Sequence, residues 1–220
     1  ELLEFYENLI NNFSIISINH DKEEFSISEK NDKGEYEKKT FGKSFNGVIL
    51  KVRRKLFAWE NDNSLYSYEY ERTDSKVRFY EKGIEIGYGT PKDIKEQFKN
   101  LKIKEMNIAY TLVGEKIHKL QIKGKSLSNF FTLIASKKDP FGSFITEFSL
   151  KKHKRGAVTF CAMEFVKGKF VENPMEILEK IEELNMYFKS FERMFQEKLL
   201  SDDSYEKQES SMDKDIEEIF

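Results

Sequence analysis

Apolar positions recur along this chain with two periods, and the places where the period changes divide it into elements. Leu2, Leu3, Phe5, Tyr6, Leu9, Ile10 and Phe13 follow one another at helical spacing with acids between them, so residues 1–13 are expected to form a helix covering one side or end of a sheet. Period two then takes over. Ser14 to Ile18 and Phe25 to Ser28 read as short strands, and a third begins near Tyr36 after the turn Asn31-Asp32-Lys33-Gly34. A long β-type run from Gly47 to Trp59 is joined by Asn61-Asp62-Asn63 to a second from Ser64 to Arg72. A third runs from Lys76 to Tyr80 and continues past Gly83 through Ile84 to Tyr88.

Thr90-Pro91-Lys92-Asp93 predicts a helix start, with Thr as cap, Pro first and an acid third; Ile94, Phe98 and Leu101 give that helix one apolar face. Ile103 to Val113 and Lys116 to Lys123 predict two more strands around Gly114-Glu115. Three strands, a helix and two strands is the element order of an OB-fold, a five-stranded, partly open barrel that binds oligonucleotides. Further on, Ser126 is placed to cap a short helix through Phe130, Phe131, Leu133 and Ile134. Phe144 to Lys152 and Ala157 to Lys167 predict a hairpin turning through Lys152-His153-Lys154-Arg155-Gly156. Asn173-Pro174-Met175-Glu176 repeats the helix-start signal, and Ile177, Ile181, Leu184, Phe188, Phe191 and Phe195 form one seam in a helix reaching about Leu200. The seam suits packing on its own domain, with a homo-oligomer through residues 177–195 as the alternative. The expected fold is mainly β with helices (α+β): an OB-like five-stranded barrel elaborated by extra strands and a long C-terminal helix over residues 1–201, then a disordered acidic tail over 202–220.

Charge changes this picture most at that tail. The net charge of −2 hides a segment from Asp202 with eight acids against Lys207 and Lys214, and without it 35 bases face 31 acids. The bases cluster: Lys43 to Lys55 holds five and no acid, and Lys92 to Arg155 fifteen against six acids. A basic body fits a nucleic-acid surface and equally a solvated lysine-rich face. One cysteine, Cys161, excludes an internal disulfide, and His20, His118 and His153 form no zinc spacing with it. No apolar run reaches the roughly 20 residues of a membrane span, so a cytoplasmic protein, of a bacterium or a phage-infected cell, is expected.

Non-specific binding of a single strand needs cations for the backbone and flat rings for the bases. Alternate residues of a strand share a face, so Gly47 to Trp59 divides into Val48, Leu50, Val52 and Leu56 against Lys51, Arg53, Lys55, Phe57 and Trp59. Arg54 falls with the first set unless the strand bulges. The next strand places Tyr66, Tyr68 and Tyr70 together, and the third Lys76, Arg78, Tyr80 and Lys82. Taken as a face, these residues point to nucleic-acid binding; taken singly, each tyrosine is what a half-exposed sheet prefers. Lys116, Lys119 and Lys123 extend the groove. Lys123 and Lys125 flank a helix start whose amides can hold a phosphate or simply be capped, and the basic turn at 152–156 can wrap a strand or be an ordinary hairpin tip. No phosphate-binding Gly-rich loop, paired metal carboxylates or nucleophile–base constellation stands out, so neither an enzyme nor a cofactor is expected.

The tail itself is too acidic and too poor in apolar residues to order, yet it closes on Asp213-Lys214-Asp215-Ile216-Glu217-Glu218-Ile219-Phe220. An acidic tail with a hydrophobic-Phe tip resembles the C-terminal tip of single-stranded-DNA-binding proteins of bacteria and their phages, more the phage type with elaborated barrels than the compact bacterial type. The resemblance implies binding of single-stranded DNA in replication, recombination or repair. It also implies recruitment of replication or repair proteins by Asp213, Asp215, Ile216, Glu217, Glu218, Ile219 and Phe220, the acids meeting a basic rim and the Phe a pocket. The alternative is a replisome adaptor or inhibitor that acts through protein contacts without nucleic acid.

Overall fold

The computed structural model describes residues 13–31, 33–60 and 63–193. The expected helix over residues 1–12, the Asn61-Asp62 turn, Phe195 of the seam, and the tail with its tip from Asp213 to Phe220 lie outside the described residues. Contacts divide the described chain into two compact units, Phe13–Leu178 and 179–193. The first contains every described strand.

The strands are β1 (Ile15–Asn19), β2 (Glu24–Lys30), β3 (Tyr36–Gly42), β4 (Ser44–Glu60), β5 (Asn63–Ser67), β6 (Val77–Glu81), β7 (Ile84–Gly89), β8 (Lys104–Val113), β9 (Lys116–Ile122), β10 (Phe144–Arg155) and β11 (Val158–Phe170). The helices are α1 (Pro91–Gln97), α2 (Lys125–Ser136) and α3 (174–193). The fold is therefore mainly β with helices, on an open mixed sheet ordered β3-β2-β1-β9-β8-β4-β5-β6-β7. β1 beside β9 is its parallel pair. The segment β4 to β9 has four strands before the helix rather than the expected three, because the run read as one strand turns at Lys82-Gly83 into the antiparallel pair β6–β7, and β9 has β8 on one edge and β1 on the other. With both edges of β9 hydrogen-bonded, these strands do not close upon one another.

β4 is long because it serves two sheets. Its first residues pair with β10, Phe45 opposite Phe148, and its later ones with β8 and β5. At the crossing a Cβ on Gly47 would lie 2.7 Å from Thr111 Cγ2 and 3.0 Å from the Leu112 carbonyl oxygen; only glycine lets the strands approach so closely. The larger core gathers phenylalanines: Phe45 stacks on Phe148 at 4.6 Å, Phe148 meets Phe165 at 5.7 Å, and Phe165 meets Phe130 of α2 at 5.1 Å. A smaller core of Leu56, Leu65, Val77, Phe79 and Ile94 lies under the β5–β7 end.

α1 starts where the sequence indicates, by a capping box: Thr90 Oγ1 accepts from the Asp93 amide at 3.2 Å and Asp93 Oδ2 from the Thr90 amide at 2.9 Å. Two local expectations need correction. Ser126 does not cap α2; Gly124 holds that position with φ 58 and no side chain to cap with, and Ser126 instead accepts the Met163 amide at 2.9 Å. The basic run Lys152 to Arg155 is strand rather than turn, because Arg155 pairs with Val158 and only Gly156-Ala157 bend. In α3 Ile177, Leu184, Phe188 and Phe191 are buried at the spacing of the expected seam. Among the described residues no helix is long and apolar enough to cross a membrane.

Candidate nucleic-acid interface

Two bulges decide which side chains share the sheet face opposite the cores. In β4, Ile49 pairs with Thr111 and Lys51 with Tyr110, so Leu50 is an extra residue. Beyond it Lys51, Arg53, Lys55, Phe57 and Trp59 alternate with Val52, Leu56 and Ala58, which pack into the cores. Tyr110 and Lys119 lie directly beside Lys51, Tyr66 pairs with Phe57, and Tyr80 with Tyr66. Arg54 falls on the core side, 3.6 Å from Glu105. The second bulge separates residues that the sequence groups together. The stretch Arg54 to Phe57 is opposed by Tyr66 to Tyr70, one residue longer. Ser67 fills the gap, accepting the Leu56 amide at 2.9 Å and donating to the Tyr68 carbonyl at 2.8 Å. Tyr68 stays on the face, 4.8 Å from Tyr80. Tyr70 is turned into the smaller core, where its hydroxyl donates to Glu105 at 2.9 Å and burial raises its pKa.

The half of this face over β8 and β9 is closed. Arg53 is 2% exposed, Tyr110 0% and Lys119 4%. Glu69 ties them together: Tyr110 donates to its Oε2 at 2.6 Å, Arg53 and Lys119 approach its carboxylate to 4.0 Å, and Arg53 Nη2 donates to its carbonyl at 3.0 Å. Lys51, with a side chain 14% exposed, and Arg53 both meet Glu71, at 3.0 and 3.8 Å. Burial pushes the Lys119 ammonium down to about 8, against the pull of Glu69. These cations are already neutralised, and Arg53 and Lys119 are out of reach of a phosphate. Glu69 and Glu71 are legible in the sequence, alternating with the tyrosines of Tyr68-Glu69-Tyr70-Glu71, but their partners come from three other strands.

The half over β5 to β7 is open. Trp59 is 71% exposed and Tyr88 54%, with Phe57 and Tyr66 half-buried between β4 and β5. Cations lie on the rings: Lys55 is 4.8 Å from the Tyr66 centroid, and Arg78 and Lys76 are 5.4 and 5.7 Å from that of Tyr88. Tyr66 stacks on Tyr80 at 6.1 Å; Tyr80 itself is buried, which raises its pKa. One acid, Glu85, holds Arg78. Tyr88 joins this site because Arg78 pairs with it across β6 and β7, a contact that spacing within one run does not reveal.

No protein-family model, curated protein or solved structure matches this chain. The face is therefore interpreted from its own chemistry. Lys116 lies outside it, paired with Glu29 at 3.2 Å; burial opposes ionisation of Glu29, but Lys116 and Lys39 hold its carboxyl below the usual value. Lys123 and Lys125 line a separate cleft with His20 and Arg155. The described residues contain no cluster of three or more His, Cys, Asp or Glu able to hold a metal.

Proposed function

We propose that this protein binds single-stranded DNA without sequence preference, in replication or recombination, by stacking bases on Phe57, Trp59, Tyr66 and Tyr88 while Lys55, Lys76 and Arg78 face the backbone. The observation that carries this reading is the exposure of Trp59 on a face whose other rings, Tyr66 and Tyr88, carry cations, since such a face offers a strand both stacking and charge. The order β4-β5-β6-β7-α1-β8-β9 supports an OB-like origin for the segment, with the third strand doubled into the β6–β7 hairpin and the sheet opened where β9 meets β1. The acidic segment Asp213 to Phe220 engages replication or repair proteins in this reading.

Trp59 is the single tryptophan, so its fluorescence reports the event directly. Titration with an unlabelled single-stranded oligonucleotide should quench it, with affinity falling as salt rises and a duplex of the same sequence competing poorly. Ribonucleotide strands separate a DNA preference from binding to either. A chain ending at Ser201 should bind equally well or more tightly at low salt. Absence of quenching in both chains would overturn the reading in favour of a protein-only adaptor.

A further inference from the structure

Away from the stacking face, β1 and β9 part company. They pair only at Ile15 with Lys119 and Ile16 with Leu120, after which β1 turns to β2 and β9 runs on to α2. The gap between them is a cleft of about 580 Å3 closed on its far side by β11, within the about 300–1,000 Å3 range of small-ligand sites. The edge of β11 that faces it is covered by side chains rather than by a strand. His20 Nδ1 accepts the Cys161 amide at 3.1 Å, Ser126 Oγ accepts the Met163 amide at 2.9 Å, and Asn129 donates to the Met163 carbonyl at 2.8 Å. These bonds place two donors at the cleft. An imidazole accepting at Nδ1 carries its proton on Nε2 when neutral, and the Ser126 hydroxyl, 6% exposed, keeps its own proton to give.

Three cations complete the rim: Lys123 just past β9, Lys125 at the start of α2 across Gly124, and Arg155 at the end of β10. None of the three makes an ion pair among the described residues, in contrast to Arg53, Lys51 and Lys119. The described lining holds no carboxylate. Two carboxylates outside the lining, Glu23 and Asp21, act on Cys161 through space; Glu23 is held by Lys43 at 2.7 Å and Lys152 at 2.8 Å. The remaining walls are mostly apolar, from Ile15, Ile18, Phe160 and Met163, with Ser17 and Gln121 as further polar residues. His20 and Cys161 do not form a nucleophile pair: the imidazole bonds the backbone amide, the thiol donates to the His20 carbonyl at 3.5 Å, and burial raises the thiol pKa.

We infer that this cleft binds a phosphomonoester carried on a flat, partly apolar body, namely a nucleoside 5′-monophosphate group, either as a free nucleotide or as the phosphorylated end of a strand. The phosphate sits among Lys123, Lys125 and Arg155 with the Ser126 hydroxyl beneath it, where the dianion matches cations from both sides. The base lies against Phe160 and the isoleucines. The site is independent of the stacking face: it uses other residues and other strands.

Calorimetric titration of the full chain with adenosine 5′-monophosphate, adenosine and inorganic phosphate tests it. The monophosphate should bind with adenosine at least about tenfold weaker, one decade of affinity being a modest demand on three cations. Lys123→Glu and Arg155→Glu, both exposed and outside the cores, should each weaken it by about tenfold or more, with circular dichroism unchanged. Trp59→Ala should leave it as it was, which separates failure here from failure of the stacking face. Tighter binding of a 5′-phosphorylated oligonucleotide than of its 5′-hydroxyl form identifies the source as a strand end; equal binding of the two, with a saturable monophosphate, identifies a free nucleotide. No saturation by the monophosphate to about 1 mM, or saturation indifferent to both charge reversals, overturns the inference.

Discussion

One continuous sheet face carries two halves with the same kinds of residue and opposite fates. Over β8 and β9, Lys51, Arg53, Lys119 and Tyr110 surround Glu69 and Glu71, and the cations are paired with these carboxylates. Over β5 to β7, Trp59 and Tyr88 stand in solvent with cations on nearby rings and Glu85 as the acid. The difference teaches that a basic and aromatic composition is not by itself a binding surface. Two glutamates contributed by the irregular segment after β5 turn half of it into structure.

Substitutions in the two halves should separate stability from binding. The largest effect belongs to Glu69→Ala, which leaves buried Arg53 and Lys119 without their shared carboxylate and should cost about 3–5 kcal/mol in urea unfolding; a cost under about 1 kcal/mol would show that the closed half is not held this way. Trp59→Ala should do the reverse, weakening single-strand binding by about 1–3 kcal/mol while stability moves by no more than about 0.5 kcal/mol. Loss of stability without loss of binding would reassign the open half to structure. Glu85→Gln releases Arg78 and removes the acid of the platform, so affinity should rise, by up to about 1 kcal/mol at low salt, and the gain should vanish as salt is added.

A further effect is a pH dependence. Lys119 has a folded pKa of about 8 against an ordinary 10.5. Between those values the unfolded chain keeps a proton that the folded one has released, so stability rises with pH across that window and the penalty is complete below it. Lys119→Met should flatten the rise measured by thermal unfolding from pH 8 to 10; an equal rise in both chains would place its origin elsewhere.

Most of the order of strands and helices was legible in the chain, because period two, period three-to-four and the Thr90 and Asn173 helix starts are local signals read within a few residues; the exception is the run from Lys76 to Tyr88, which folds back on itself as β6 and β7. Also legible was the division of β4 from Lys51 onward, into Lys51, Arg53, Lys55, Phe57 and Trp59 against Val52 and Leu56, since alternation needs no partner; Val48 and Leu50 were grouped with Val52 by the same alternation, which the bulge at Leu50 interrupts, so that Ile49 takes the core side instead of Val48. Tyr70 was not legible: its side chain points to the core because Tyr66 to Tyr70 opposes a shorter stretch of β4, and a bulge is a property of a pair of strands. The same holds for Arg53 and Lys119, whose burial depends on Glu69 from a segment far along the chain, and for the cleft, where His20 meets Cys161 across 141 residues. By itself the sequence determined most of the elements, the starts of α1 and α3, and the residue types of both halves. Tertiary structure alone decided which cations are spent on neighbouring acids and which remain facing water, because that choice rests on strand register and on contacts between residues distant in the chain.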